Sequence, residues 1–286
     1  MQSTFLLVWL TNVYPLWRAW QANRQTSLLH TIYWVLASWV AWGAAVGSAA
    51  SWPSLAATAS CYTALSLTGC GAVAVLGARR PGVNAWNMVV GALLAVDLLA
   101  LAESWLTGGT FRFNPFQWVC VAGPVAVGVL NYVPTPLAPA ALSLLLGCAL
   151  ELMALVLPLG RGQDSPAIRE VGWIALVFTP WIAFACLRRA PSAGSEFDRT
   201  WRDFRNRFGF IWGQRLREQF NRSAANAGWP VVLRWQGLRL QSGSQPPEES
   251  VQTTILATLR ALLKRFGPAA ERSLSERDEN RTGAGD

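Results

Sequence analysis

The chain has 286 residues, 52% of them hydrophobic and only 14% charged, with a formal net charge of +8. A soluble domain carries about 25% charged residues, so this deficit argues against an ordinary soluble globular protein. No Asp, Glu, Lys or Arg occurs between residues 25 and 78, whereas charges crowd the chain after Arg188. The first two thirds therefore reads as membrane, the last third as aqueous, and the basic excess as anchoring against anionic lipid.

In chain order, residues 1–27 form an N-terminal segment whose apolar part, 4–17, is short and carries Asn12 and Pro15. It lacks the positive start and small-residue cleavage site of a signal peptide. An interfacial or half-inserted helix is the first expectation, and a seventh crossing that starts outside is the alternative. Residues 28–189 hold six candidate spans, each near the length that a bilayer core of about 30 Å requires. They run from about Leu28 to Val46, Leu55 to Leu76, Ala85 to Leu106, Phe116 to Val133, Leu137 to Leu157 and Val171 to Leu187.

Arginine placement orients these spans. Arg18, Arg24, Arg79, Arg80, Arg188 and Arg189 fall on one side, and Arg112, Arg161 and Arg169 on the other, two of these with Asp164 or Glu170 nearby. The positive-inside rule then places the C-terminus in the cytoplasm of a multi-pass cell-membrane protein. Trp52, Trp105, Trp118 and Trp173 mark the outer ends, and Trp17, Trp20 and Trp86 the inner ends. Trp39, Trp42 and Trp181 lie deeper and are expected to pack between helices. A shift of 54 residues lays the segment around Asp97 over the segment around Glu151, and the third- and fifth-span acids coincide without a gap. This suggests three helical hairpins, an arrangement found in transporters and in passive bundles alike.

Residues 190–267 form the aqueous region. From Glu196 to Asn226, Phe197, Trp201, Phe204 and Phe208 recur at helical spacing with Arg199, Arg202 and Arg205 among them. The pattern predicts an amphipathic helix with an aromatic face and a basic flank, stopped at Ala227-Gly228-Trp229-Pro230. Val231 to Leu240 alternates as a short strand pair. Val251 to Phe266 reads as a second amphipathic helix, with Ile255, Leu259, Leu262 and Phe266 on one side. Residues 268–286 are polar and expected to be disordered.

Two constellations are candidate sites. Asp97 and Glu151 each sit near the middle of a span, where a carboxylate costs about 3 kcal/mol on insertion scales. With no basic residue expected at that depth, they form a candidate proton or cation site, or polar glue between helices. Trp201, Phe204, Phe208, Arg199, Arg202 and Arg205 are candidate contacts for anionic inner-leaflet lipid or a cytoplasmic protein; packing against the chain's own C-terminal neighbours is the alternative. Nucleic acid is disfavoured because the helix follows a span so closely. Five cysteines inside apolar segments and a single histidine, His30, read as structural. No catalytic, cofactor or metal pattern is present. The fold expected is an all-α polytopic bundle with a mostly helical aqueous region. A non-enzymatic membrane scaffold or assembly subunit is the first functional expectation. A small proton- or cation-coupled transporter or channel comes second, and a membrane-embedded enzyme third.

Overall fold

A computed structural model describes residues 2–48, 54–79, 82–107, 115–156, 166–189, 194–243, 245 and 247–267. The sequence expectations for Trp52, Arg80, Arg112, Arg161 and Asp164, and for the tail 268–286, lie outside these residues.

The fold is a helical bundle capped at one end by a smaller helical module. In chain order the helices are α1 (Gln2–Thr11), α2 (Val13–Asn23), α3 (Leu29–Ser48) and α4 (Leu55–Ala74). Then come α5 (Val83–Leu106), α6 (Pro115–Tyr132), α7 (Ala138–Val156) and α8 (Pro166–Arg189). The module comprises α9 (Glu196–Asn226), β1 (Val231–Arg234), β2 (Gly237–Leu240) and α10 (Glu249–Leu263), which ends in a 3₁₀ turn, Lys264–Phe266. Five helices, α3, α4, α5, α7 and α8, are long and apolar enough to cross a membrane, while Phe116–Tyr132 in α6 is shorter. Large apolar side chains such as Met88, Leu99, Leu106 and Val119 point outward from them. A water-soluble bundle would bury these groups, and a hydrocarbon solvent accepts them.

The bundle closes on itself as a ring. The α1–α2 segment packs on α3, α3 on α4, α4 on α6, α6 on α7, α7 on α8, and α8 back on α1 and α2. Helix α5 sits outside the ring against α4 and α6. Of the three expected hairpins, α3–α4 and α7–α8 are closely paired. The middle one is not, since α5 packs more closely on α4 than on α6.

The N-terminal segment packs lengthwise along α8. Phe5 meets Trp173 edge-on at 5.8 Å, Trp181 Nε1 donates to Thr11 Oγ1 at 3.1 Å, and Tyr14 meets Phe184 at 5.5 Å. These partners climb α8 in order over about 16 Å at 1.5 Å per residue. Asn12, at the break between α1 and α2, is buried and donates its Nδ2–H to the Val177 carbonyl at 3.0 Å. Nearby, Pro180 has no N–H for its own turn of helix, so the ladder there is loosened. Trp9 stacks on Trp39 with ring centroids 4.1 Å apart and donates to its carbonyl.

The module forms around α9. Ser195 caps the helix by accepting from the Asp198 N–H at 3.2 Å. Asp198 Oδ1 accepts from the Leu238 N–H, and Asn221 pairs with both backbone groups of Leu233, so the β-hairpin is tied along α9. Glu196 and Arg260 form an ion pair that joins α9 to α10. The expected side of the second amphipathic helix holds for Ile255, Leu259 and Phe266, while Leu263 is buried more completely than Leu262.

Candidate functional site

Asp97 and Glu151 are both buried, at 2% and 0% exposure, but they look at different neighbours. Asp97 lies beside Ser66 and Tyr62 of α4 and near Cys120 of α6. Glu151 Oε2 faces Arg169 Nε of α8 at 3.7 Å, and Cys61 of α4 lies beside both charges. The expectation that no basic residue reaches this depth is therefore corrected. Arg169 belongs to the first turn of α8 and is itself only 9% exposed. Glu151, in the second half of α7, stands within reach of that turn. Gly172 makes the approach possible, since a Cβ there would sit 3.0 Å from Glu151 Oε1. Among the described residues, neither Glu151 oxygen accepts a hydrogen bond, nor does Asp97 Oδ1. The meeting of α4 and α7 around Cys61 and Glu151 draws the ring together at the end away from the module.

The aromatic face of α9 is not presented at the surface. Trp201, Phe204 and Phe208 are enclosed by Phe220, Leu233, Ile255, Leu259 and Phe266 of the module, and by Val75 and Ala78 at the end of α4. Helix periodicity identifies an apolar face, and here that face is covered by the chain's own hairpin and α10. Contact with lipid or a partner would fall to the basic flank.

The module is also fixed to the bundle by directed bonds. Gly209 interrupts α9 with φ +78°, a conformation that costs glycine little. Asn131 of α6 enters this break, donating to the Phe208 carbonyl at 3.3 Å and accepting from the Ile211 N–H at 2.9 Å. It thereby serves the end of one half-helix and the start of the next. Tyr132 donates to the Arg207 carbonyl, Trp212 to the Val75 carbonyl and Trp235 to the Pro134 carbonyl. Ser27 lies between the Ala78 and Phe266 carbonyls.

Between ring and module lies a cavity of about 1120 Å³. Its shaft is apolar, with walls that include Trp39, Trp42, Leu144, Leu176 and Val177. A polar spot interrupts it where Thr68 meets Ser38 at 2.7 Å and receives the Trp42 Nε1–H at 2.9 Å. From Trp173 to Arg188 along α8 the wall extends about 22 Å at 1.5 Å per residue, most of a hydrocarbon core of about 30 Å. At the module end the character inverts. Arg18, Arg188, Arg199, Arg202, Arg205 and Arg207 line the mouth, with Asp203 as its one carboxylate among the described residues.

These arginines are held in different ways. Arg188 lies over the Phe184 ring at 4.3 Å, and Arg202 Nε donates to the Asp198 carbonyl. Arg205 is part of the wall. It donates twice to Asn206 Oδ1 and once to the Trp235 carbonyl at 2.7 Å, and it lies over the Trp235 ring. Burial, and the charge of Arg202 beside it, pull its guanidinium below the ordinary arginine value. An anion in the mouth would offset both effects.

Three of the residues singled out from the sequence, Arg199, Arg202 and Arg205, thus lie at this mouth, while neither Asp97 nor Glu151 lines the cavity. Sequence reasoning used Arg18 and Arg188 only to orient the spans and treated Trp39 and Trp42 as packing. It overlooked Asn131 altogether. The available signal was that Arg18, Arg188 and the α9 arginines were all assigned to one side.

Comparison with protein families, curated proteins and solved structures returns no match. The reading of this site therefore rests on its chemistry.

Proposed function

We propose that this chain is a multi-pass membrane protein that takes an amphipathic lipid into its helical ring, with the apolar part in the shaft and the polar end at the arginine-lined mouth. One observation carries the reading: a single cavity joins an apolar shaft of near-bilayer depth to a cluster of arginines. Cavities that hold small molecules are mostly apolar with a few placed polar groups, and this one has both in separate zones. The scaffold reading called for a bare aromatic face on the module, and that face is spent on the module's own core. The transporter reading called for a polar path through Asp97 and Glu151, which have separate surroundings.

On this proposal α1 and α2 together form a seventh crossing beside α8, with the break at Asn12 inside the bilayer and satisfied by the Val177 carbonyl. That requirement fits a solvent offering no other partner. Positive charge at the module end keeps the module and the mouth on the cytoplasmic side.

The test is lipid retention. Protein purified in mild detergent should carry lipid visible by native mass spectrometry, and delipidated protein should rebind a labelled membrane lipid at one per chain. Ala183→Trp, at a lining position of α8, should abolish retention in a protein that still purifies as a folded species. Protein that carries no lipid and rebinds none would refute the reading.

A further inference from the structure

The mouth is more basic than lipid retention requires. Among the described residues, six arginines face it against one carboxylate, Asp203. The other acid beside them, Asp198, has Oδ1 committed to the Leu238 N–H. Arginine is a fork of donors that cannot be discharged at neutral pH, and it pairs bidentately with phosphate or carboxylate. Such a cluster is repulsive when no anion is present, and a dianion offsets more of that repulsion than a single negative charge does. Arg199 Nε–H is enclosed and donates to no acceptor among the described residues. Arg18, midway along α2, and Arg188, at the end of α8, are exposed at the α2–α8 flank of the same mouth. Lipid head groups lie at the boundary between apolar and polar lining.

Resting on the lipid reading above, we propose that the bound lipid ends in a phosphate monoester, recognised by Arg199 and Arg202 from α9 and by Arg18 and Arg188 from α2 and α8. A phosphate monoester carries about −1.5 to −2 charge at pH 7 and three acceptor oxygens. A phosphodiester head offers one charge, and a zwitterionic head adds an ammonium that the six arginines repel. The apolar shaft makes the ligand a lipid rather than free phosphate, because free phosphate would leave about 22 Å of apolar wall unused.

The test titrates the purified full chain in neutral detergent with four probes: dioctanoyl phosphatidic acid, dioctanoyl phosphatidylglycerol, dioctanoyl phosphatidylcholine and inorganic phosphate. Phosphatidic acid should bind at least ten-fold tighter than phosphatidylglycerol and tighter still than phosphatidylcholine, with the preference shrinking as salt rises. The double variant Arg199→Gln, Arg202→Gln should lose ten-fold or more for phosphatidic acid and little for phosphatidylcholine. The exposed pair Arg18→Gln, Arg188→Gln should shift the same ratio in the same direction without touching the module's core. Equal binding of phosphatidic acid and phosphatidylcholine, or no change of their ratio in both double variants, would overturn the head-group assignment and leave the lipid reading standing. Inorganic phosphate binding as tightly as phosphatidic acid would overturn the lipid source. Failure of every lipid to bind would overturn both readings.

Discussion

Asn131 holds the one irregular point of α9 and joins it to α6, so its amide bears on both helix continuity and docking. Asn131→Ala strands the Ile211 N–H and the Phe208 carbonyl in a buried place. Each unsatisfied group of this kind costs about 1–3 kcal/mol, and a lowered thermal midpoint of the whole protein should register the loss. Gly209→Ala should be worse, because a Cβ at φ +78° is strained and would collide with the Asn131 side chain. The Glu151–Arg169 pair makes an asymmetric prediction. Arg169→Ala leaves a buried carboxylate without its counter-ion, which costs about 3–5 kcal/mol, whereas neutralising both partners costs less. Unfolding in graded denaturing detergent should place Arg169→Ala below the double variant Glu151→Gln, Arg169→Gln. Among the described residues Asp97 and Glu151 have different neighbours, so Asp97→Asn and Glu151→Gln should add within about 0.5 kcal/mol. Marked non-additivity in that double-mutant cycle would show a coupling that their separate surroundings do not provide.

The module is organised by the helix–hairpin–helix arrangement around Trp201, which is fully buried and donates its Nε1–H to the Trp235 carbonyl. Replacing a buried tryptophan by alanine costs about 3–5 kcal/mol through lost contact and the cavity left behind. Trp201→Ala should therefore open the module to limited proteolysis between α9 and α10 while the bundle helices stay protected. The same burial explains why the basic flank, and not the aromatic face, carries the proposed ligand contacts. Arg199 and Arg202 face the mouth because Trp201 and Phe204, their neighbours along α9, turn into the core.

At the scale of the whole molecule, the ring gives the cavity its depth and the module gives it a charged end. The seven crossings proposed above would place residue 2 and the module on opposite sides of the membrane. Single-cysteine variants at Gln2 and Ser242, made in a background with the five native cysteines replaced, should label with a membrane-impermeant maleimide from opposite faces of sealed vesicles. Labelling of both from the same face would return α1–α2 to an interfacial or half-inserted segment.

The sequence by itself determined that the chain is helical, that its first two thirds is apolar enough for a membrane and that an aqueous helical region follows. Those properties are local: hydropathy and helical period are written into stretches of about twenty residues, and Pro134, Pro136 and Ala227-Gly228-Trp229-Pro230 mark their ends. It also singled out Arg199, Arg202 and Arg205, because charge beside an aromatic period is visible in one dimension. Only the tertiary structure decided which faces meet. Asn12 looked like an interruption of an apolar segment until its partner appeared in Val177, far away in the chain. Arg169 looked like a loop charge until α8 began early enough to bring it to Glu151. A periodic aromatic face states that something covers it and not what, so the enclosure of Trp201 by the hairpin and α10 was open. The cavity belongs to no segment, since its walls come from seven helices of the ring and its charge from two of them together with α9.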